Sequence, residues 1–265
     1  MSLTFTILGC GSSMGVPRVA LGWGDCDPNN PKNRRRRCSL LVTRGAASGK
    51  THLLVDCSPD LRMQLLDAEV DSIDGVLITH EHADHTHGID DLRPLFVKTR
   101  RRVPVYMDEA TTGVMRTRFG YCFKTPPGSA YPPIAEERRL LPGEPVAIQG
   151  QGGAIEALPV LQEHGDIASL GFRFGNVAYS ADIKGLPDAS IAQMAGLDVW
   201  IVDALRRAPH PSHLNLEEAL AWIERIRPKR AILTNLHSDL DYNRLRAELP
   251  PNIEPAYDCM SFQAG

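Results

Sequence analysis

The sequence predicts an α/β fold in which two sheets pack face to face with helices on their outer sides. Three observations lead there. Strand-length apolar runs recur along the chain, among them Gly75-Val76-Leu77-Ile78, Val199-Trp200-Ile201-Val202 and Ala231-Ile232-Leu233, and short continuous apolar runs read as buried strands. The first runs straight into Thr79-His80-Glu81-His82-Ala83-Asp84-His85, and the edge just past a strand is where an α/β sheet presents its chemistry. The chain has 265 residues with a hydrophobic share of 43%, enough for the core of a sandwiched fold.

The formal net charge is −3, so no global basic character points to nucleic acid. The apolar runs fall far short of the roughly 20 residues that cross a bilayer, so no membrane partner is expected. The first eight residues lack a basic segment and a long apolar stretch, so they do not read as an export signal. The six cysteines are scattered without a CxxC pair. Together these features lead us to expect a cytoplasmic protein with free thiols.

The N-terminal residues alternate like a strand and end in Gly9-Cys10-Gly11-Ser12-Ser13-Met14-Gly15-Val16-Pro17. Those glycines do not match GxGxxG, and Pro17 argues against a following helix. A tight loop passing close to a functional centre is the better reading. Residues 18–37 read as a long irregular loop ending in Arg34-Arg35-Arg36-Arg37. Guanidinium forks match phosphate, but a solvated basic run ahead of a strand is slightly favoured. Two strands follow around 38–43 and 51–56. Ser58 and Pro59 look like the start of a helix. Residues 119–133 are rich in aromatics and prolines, so an irregular segment is expected there, serving as a lid, a homodimer contact or an ordinary surface excursion.

The motif itself carries chemistry. His80 and His82 are two apart and can face one way, whereas Asp84 and His85 diverge. One loop can therefore serve two metal ions. Three imidazoles and a carboxylate within six positions are far more specific than an isolated HxH.

His80-x-His82-x-Asp84-His85 resembles the signature of the metallo-β-lactamase-fold hydrolases. The Gly-Ser-Ser-rich opening, the Gly88-Ile89-Asp90-Asp91-Leu92-Arg93 stretch and the closing Tyr257-Asp258-Cys259-Met260 are similar to the phosphodiesterase branch, which includes a phosphoribosyl cyclic phosphate phosphodiesterase and the tRNA 3′-processing ribonucleases. The resemblance spans nearly the whole chain. It implies a four-layer αβ/βα sandwich of two mixed sheets, formed by residues 1–265 as one hydrolase domain.

It also implies a site. His164 would complete a first metal site with His80 and His82, and Asp182 would bridge to a second that includes Asp84 and His85. Asp56, Asn235 and Asp258 would support these ligands from behind. Where many relatives carry a metal-binding histidine, this chain has Asn235; His237, on the same face of an extended backbone, is expected to take over. His213 would be the general acid, a role imidazole suits near neutral pH. Asp84 would share in catalysis, and Ser12 and Ser13 would meet substrate. The implied cofactors are two divalent ions, Zn²⁺ or Mn²⁺, sharing a hydroxide. The implied substrate is a small phosphodiester, such as a cyclic ribose phosphate or a nucleotide. Thioester or acyl hydrolysis, and RNA processing, are the alternatives, the latter without a clear basic arm to support it.

Overall fold

A computed structural model describes residues 2–265. In chain order its strands are β1 (Leu3–Gly9), β2 (Ser39–Ala46), β3 (Gly49–Val55), β4 (Gly75–Leu77), β5 (Val103–Met107), β6 (Ala135–Arg139), β7 (Val146–Ile148), β8 (Ile155–His164), β9 (Ile167–Phe174), β10 (Val177–Ser180), β11 (Val199–Asp203), β12 (Arg230–Thr234), β13 (Ile253–Pro255) and β14 (Met260–Ala264). The α-helices are α1 (Leu61–Asp67), α2 (Ala83–Thr86), α3 (Arg93–Thr99), α4 (Glu109–Phe123), α5 (Asp188–Gln193), α6 (Leu216–Ile226) and α7 (Tyr242–Glu248).

The strands make two seven-stranded sheets, ordered β14-β1-β2-β3-β4-β5-β6 and β13-β12-β11-β10-β9-β8-β7. Both are mixed. β3 to β6 pair in parallel while β14, β1, β2 and β3 pair antiparallel. In the second sheet β10 to β13 are parallel and β7 to β10 antiparallel. The central parallel strands β4 and β11 read as apolar runs because both their faces are covered, whereas the edge strand β6 is largely charged.

The period-two alternation of a strand assigns those faces. On β11, Val199 and Ile201 enter the core between the sheets, where Phe5, Val42 and Leu53 meet Phe172 and Tyr179. Trp200 and Val202 face the other way, onto Ala219 and Ile223 of α6 and Leu245 of α7. On the first sheet, Leu54, Val76 and Val105 pack outward against Leu61, Leu95 and Met115 of α1, α3 and α4. The result is the expected four-layer αβ/βα sandwich.

Local rules explain most boundaries. α6 opens with a reciprocal capping box between Asn215 and Glu218, which satisfies two otherwise orphaned backbone donors. α1 begins at Leu61, later than the Ser58-Pro59 signal indicated; Ser58 Oγ instead accepts from the Asp60 backbone N–H at 3.1 Å. The 119–133 segment is only partly irregular, because α4 runs through Phe123 with a break at Phe119. The arginine run is largely structural. Arg35 is fully buried, donating to the carbonyls of Leu240 (2.7 Å) and His237 (3.2 Å). Arg36 and Arg37 pair with Asp67 and Asp60.

Trp200 is the largest fully buried side chain, and its indole N–H donates to Ser180 Oγ at 3.0 Å. Trp200→Ala is expected to lower the unfolding free energy by about 3–5 kcal/mol, read from urea denaturation. A loss below about 1 kcal/mol would mean that this layer collapses readily around the gap.

Candidate metal centre

Strand ends from both sheets deliver the site. β4 stops at Leu77, and the chain turns through Thr79 and His80 into α2, with His82 at its N-cap and Asp84 and His85 inside it. The second sheet contributes His164, the last residue of β8, and Asp182, just past β10. The Leu170 N–H donates to the Thr79 carbonyl at 2.9 Å, fixing the motif loop against the second sheet.

These side chains converge in two groups. His80, His82, His164 and Asp182 present ligand atoms within 4.8 Å of one another, and so do Asp84, His85 and Asp182. Asp182 belongs to both. Its Oδ1 lies 3.1 Å from His85 Nε2, while its Oδ2 lies 3.4 Å from His164 Nε2 and 3.6 Å from His80 Nε2.

A chain of hydrogen bonds decides which ring nitrogen each histidine turns inward. Asp56 is fully buried beneath the loop and accepts the Thr79 backbone N–H at 2.8 Å and the Thr79 hydroxyl at 3.0 Å. The hydroxyl proton is thereby committed, so Thr79 Oγ1 must accept from His80 Nδ1, 2.9 Å away. His85 Nδ1 donates to Asp56 at 2.7 Å. His164 Nδ1 donates to the Ser212 carbonyl at 2.7 Å. Each ring therefore keeps its Nε2 lone pair for the shared space, the usual way an outer carboxylate or carbonyl prepares a histidine for metal.

His80 Nε2 and His85 Nε2 are buried without a hydrogen-bond partner. Leaving buried polar atoms unpaired costs roughly 1–3 kcal/mol each, and a cation on Nε2 removes that cost. The electrostatics agree. Burial keeps His80 neutral, holding its pKa well below the ordinary imidazole value, with His85 adding to the effect. Burial also opposes charge on His85, but Asp182, Asp84 and Asp56 together raise its pKa well above the usual range. Carboxylates that would hold a proton there can equally hold a dication. Burial works against charge on Asp182 too, yet His85 and His213 keep its pKa well below that of a free carboxylate. Neutral imidazoles and ionised carboxylates are the donor set that zinc- and manganese-like ions take, so the residues fit divalent metal.

His213 stands across Asp182 from the motif. Its Nδ1 donates to Asp203 Oδ2 at 2.8 Å, and its Nε2 lies 3.8 Å from Asp182 Oδ2. Burial disfavours charge on His213, but Asp182 and the hydrogen bond to Asp203 raise its pKa to about 9. Asp203 is a residue that the sequence reading missed. Its signal was there, a carboxylate closing the buried parallel strand β11, just as Asp182 follows β10. Asn235 also reaches the site, with Nδ2 3.2 Å from Asp182 Oδ1.

His237 does not. It joins neither ligand group among the described residues; its Nε2 lies 3.0 Å from Arg18 Nη1 and its Nδ1 3.0 Å from Asp239 Oδ1. Both ring nitrogens are thus engaged elsewhere, which corrects the expectation that it substitutes for Asn235 as a ligand. Asp258 sits one layer further out, accepting the backbone N–H groups of Cys10 (3.2 Å) and Arg36 (2.9 Å). Burial raises its pKa to about 7. Ser12 is buried with its hydroxyl unpartnered, whereas Ser13 is exposed. His87 is exposed and stacks edge-on against Phe119.

A sandwich with histidines and aspartates at one edge of both sheets defines a class of metal-dependent hydrolase. Comparison with known proteins gives the family. Residues 51–235 match the model of the beta-lactamase superfamily domain. A solved structure described as a new diphosphatase from the PhnP family is 34% identical, with a TM-score of 0.88 over 100% of this chain and 98% of that one. Human tRNase Z, short form, matches with a TM-score of 0.61 at 17% identity over 98% of each chain, a likeness of fold alone. An octanoyltransferase from Porphyromonas gingivalis (strain ATCC BAA-308 / W83) is 35% identical over 95% of this chain, but this chain spans only about half (50%) of that protein's length. The chain belongs to the β-lactamase superfamily and, within it, to the PhnP family, with the metallo-β-lactamase fold.

Asp56→Asn keeps the volume but places an N–H₂ where one carboxylate oxygen now accepts. It is expected to weaken metal affinity about 10- to 100-fold, measured by competition with a chelating dye on variants whose far-UV spectrum is unchanged. Unaltered affinity would remove Asp56 from this role.

Proposed function

We propose that the chain is a metal-dependent hydrolase of small phosphodiesters, with residues 1–265 acting as one catalytic domain. The observation that carries this reading is His213: Asp203 fixes its tautomer, and its Nε2 faces the carboxylate shared by both ligand groups. The likeness to a diphosphatase along the full chain supports a phosphorylated substrate. The octanoyltransferase likeness covers only half of that protein, so it supports an acyl substrate less.

His80, His82, His164 and Asp182 would hold one cation, and Asp84, His85 and Asp182 a second, with Zn²⁺ and Mn²⁺ the ions we favour. When bound, such ions supply Lewis acidity that neutralises phosphoryl charge and makes water a nucleophile near neutral pH. The chain's own residues supply the rest. Water loses a proton to solvent as its oxygen bonds to phosphorus, the bond to the ester oxygen breaks, and His213 Nε2 gives its proton to the departing oxygen and takes another from solvent before the next turnover. The Nδ1–H bond to Asp203 prevents the ring from offering the wrong nitrogen and stabilises its charged form before transfer. Asp182, 3.8 Å from Nε2, favours the charged ring by proximity without a hydrogen bond to it. Asp84 would act through the cation it holds, and Ser12, with its unpartnered hydroxyl, is our candidate for contact with a phosphoryl oxygen.

His213→Ala is expected to cost about 10²- to 10⁴-fold in kcat, the range for general acids, while the protein keeps its full metal content by elemental analysis. Turnover within twofold of the unsubstituted protein would refute the acid assignment. Dialysis against a chelator is expected to abolish hydrolysis of bis(p-nitrophenyl) phosphate, and returning Zn²⁺ or Mn²⁺ to restore it. Activity on a thioester or a β-lactam in place of phosphodiesters would overturn the substrate class.

A further inference from the structure

His237 leaves the metal ligands to hold something else. It sits two residues past Asn235, whose amide is 3.2 Å from Asp182, so its Cα lies within about 7 Å of Asn235 Cα. Its backbone is clamped on both sides. The N–H donates to the Leu205 carbonyl at 2.9 Å, and the carbonyl accepts from buried Arg35 at 3.2 Å. The ring is equally fixed, between Arg18 Nη1 and Asp239 Oδ1 at 3.0 Å each. Asp239 is held in turn by the Arg207 backbone N–H at 2.9 Å.

Donor chemistry orders this chain. A guanidinium only donates, so His237 Nε2 accepts from Arg18 and Nδ1 carries the proton given to Asp239. Arg18 is therefore oriented by a neutral ring, not by a carboxylate. No direct ion pair joins it to an acidic side chain among the described residues; the Asp239 carboxylate reaches it only through the ring. Arg18 Nε is buried and has no partner. Ser12 Oγ, on the same loop, is likewise buried and unpartnered. That loop runs along the exit of β12, with Gly11 bridged to Leu236. Leaving a buried donor unmade is costly, and the natural complement of a guanidinium fork is a pair of phosphate oxygens.

We infer that Arg18, positioned by His237 and Asp239, binds a second phosphoryl group of the substrate, so that the site is built for diphosphate-containing esters over esters with a single phosphorus. This rests on the phosphodiesterase reading above. The first phosphoryl group would lie at Asp182 and His213, and the second at Arg18.

Calorimetry on the metal-loaded protein with uridine 5′-monophosphate and uridine 5′-diphosphate tests it. The diphosphate is expected to bind tighter. Arg18→Gln should weaken diphosphate binding about tenfold or more beyond any change for the monophosphate, the size of a lost charged hydrogen bond. Arg18→Lys should recover part of the difference, and His237→Ala should give an intermediate loss. Equal losses for both nucleotides, or no loss for either, would overturn the inference. Binding is read without turnover, so its outcome is separate from that of the phosphodiesterase reading: a diphosphate preference that depends on Arg18 would survive even if no phosphodiester were hydrolysed.

Discussion

The site depends on one buried carboxylate. Asp56 has no contact with solvent, and an ionised group in that position is tolerable only when fully hydrogen-bonded. Thr79 and His85 supply the bonds. The debt runs in both directions. Because Asp56 must be satisfied, the motif loop has a single arrangement, and because the Thr79 hydroxyl is spent on Asp56, the His80 tautomer is settled as well. One ionic group thus sets the presentation of two imidazoles without touching the space they face.

The backbone tells the same story. Asp56 and Asn235 both adopt the left-handed region, with φ of 65° and 60°, a conformation that Asp and Asn tolerate better than most residues. They stand at the exits of β3 and β12, one on each sheet. Each lets the chain turn abruptly at a strand end, so the following residues meet the neighbouring loop instead of continuing outward. Strain of this kind gathers at functional sites, and here it frames the metal centre from both sides.

Much of this was legible in the sequence, and the part that was not has a physical reason. The apolar strands were readable because burial on both faces leaves a compositional trace, as in β11 and β12. The motif was readable because its ligands are adjacent in sequence. Asp203 escaped notice because its partner, His213, lies ten residues on, and only the packing of the 206–214 loop brings the two together. His237 was misjudged for a related reason. Spacing showed that it could share a face with Asn235, but the ring's direction is decided by Arg18, some 219 positions away. The arginine run shows the same limit, since nothing local distinguishes buried Arg35 from its partly exposed neighbours.

The ligand groups draw on residues 80–85, 164 and 182, and therefore on both sheets. Neither half of the chain contains a complete set. The centre cannot exist in a partly folded chain, because it appears only when the two sheets have docked and Thr79 has met Leu170 across the gap. Closing contacts so distant in sequence is slow and entropically costly. An ion held by the complete ligand set would favour the docked fold over precursors that offer only the 80–85 segment, so part of its binding energy would become folding energy. In the cell, supply of metal would then govern the survival of the folded chain as well as its chemistry.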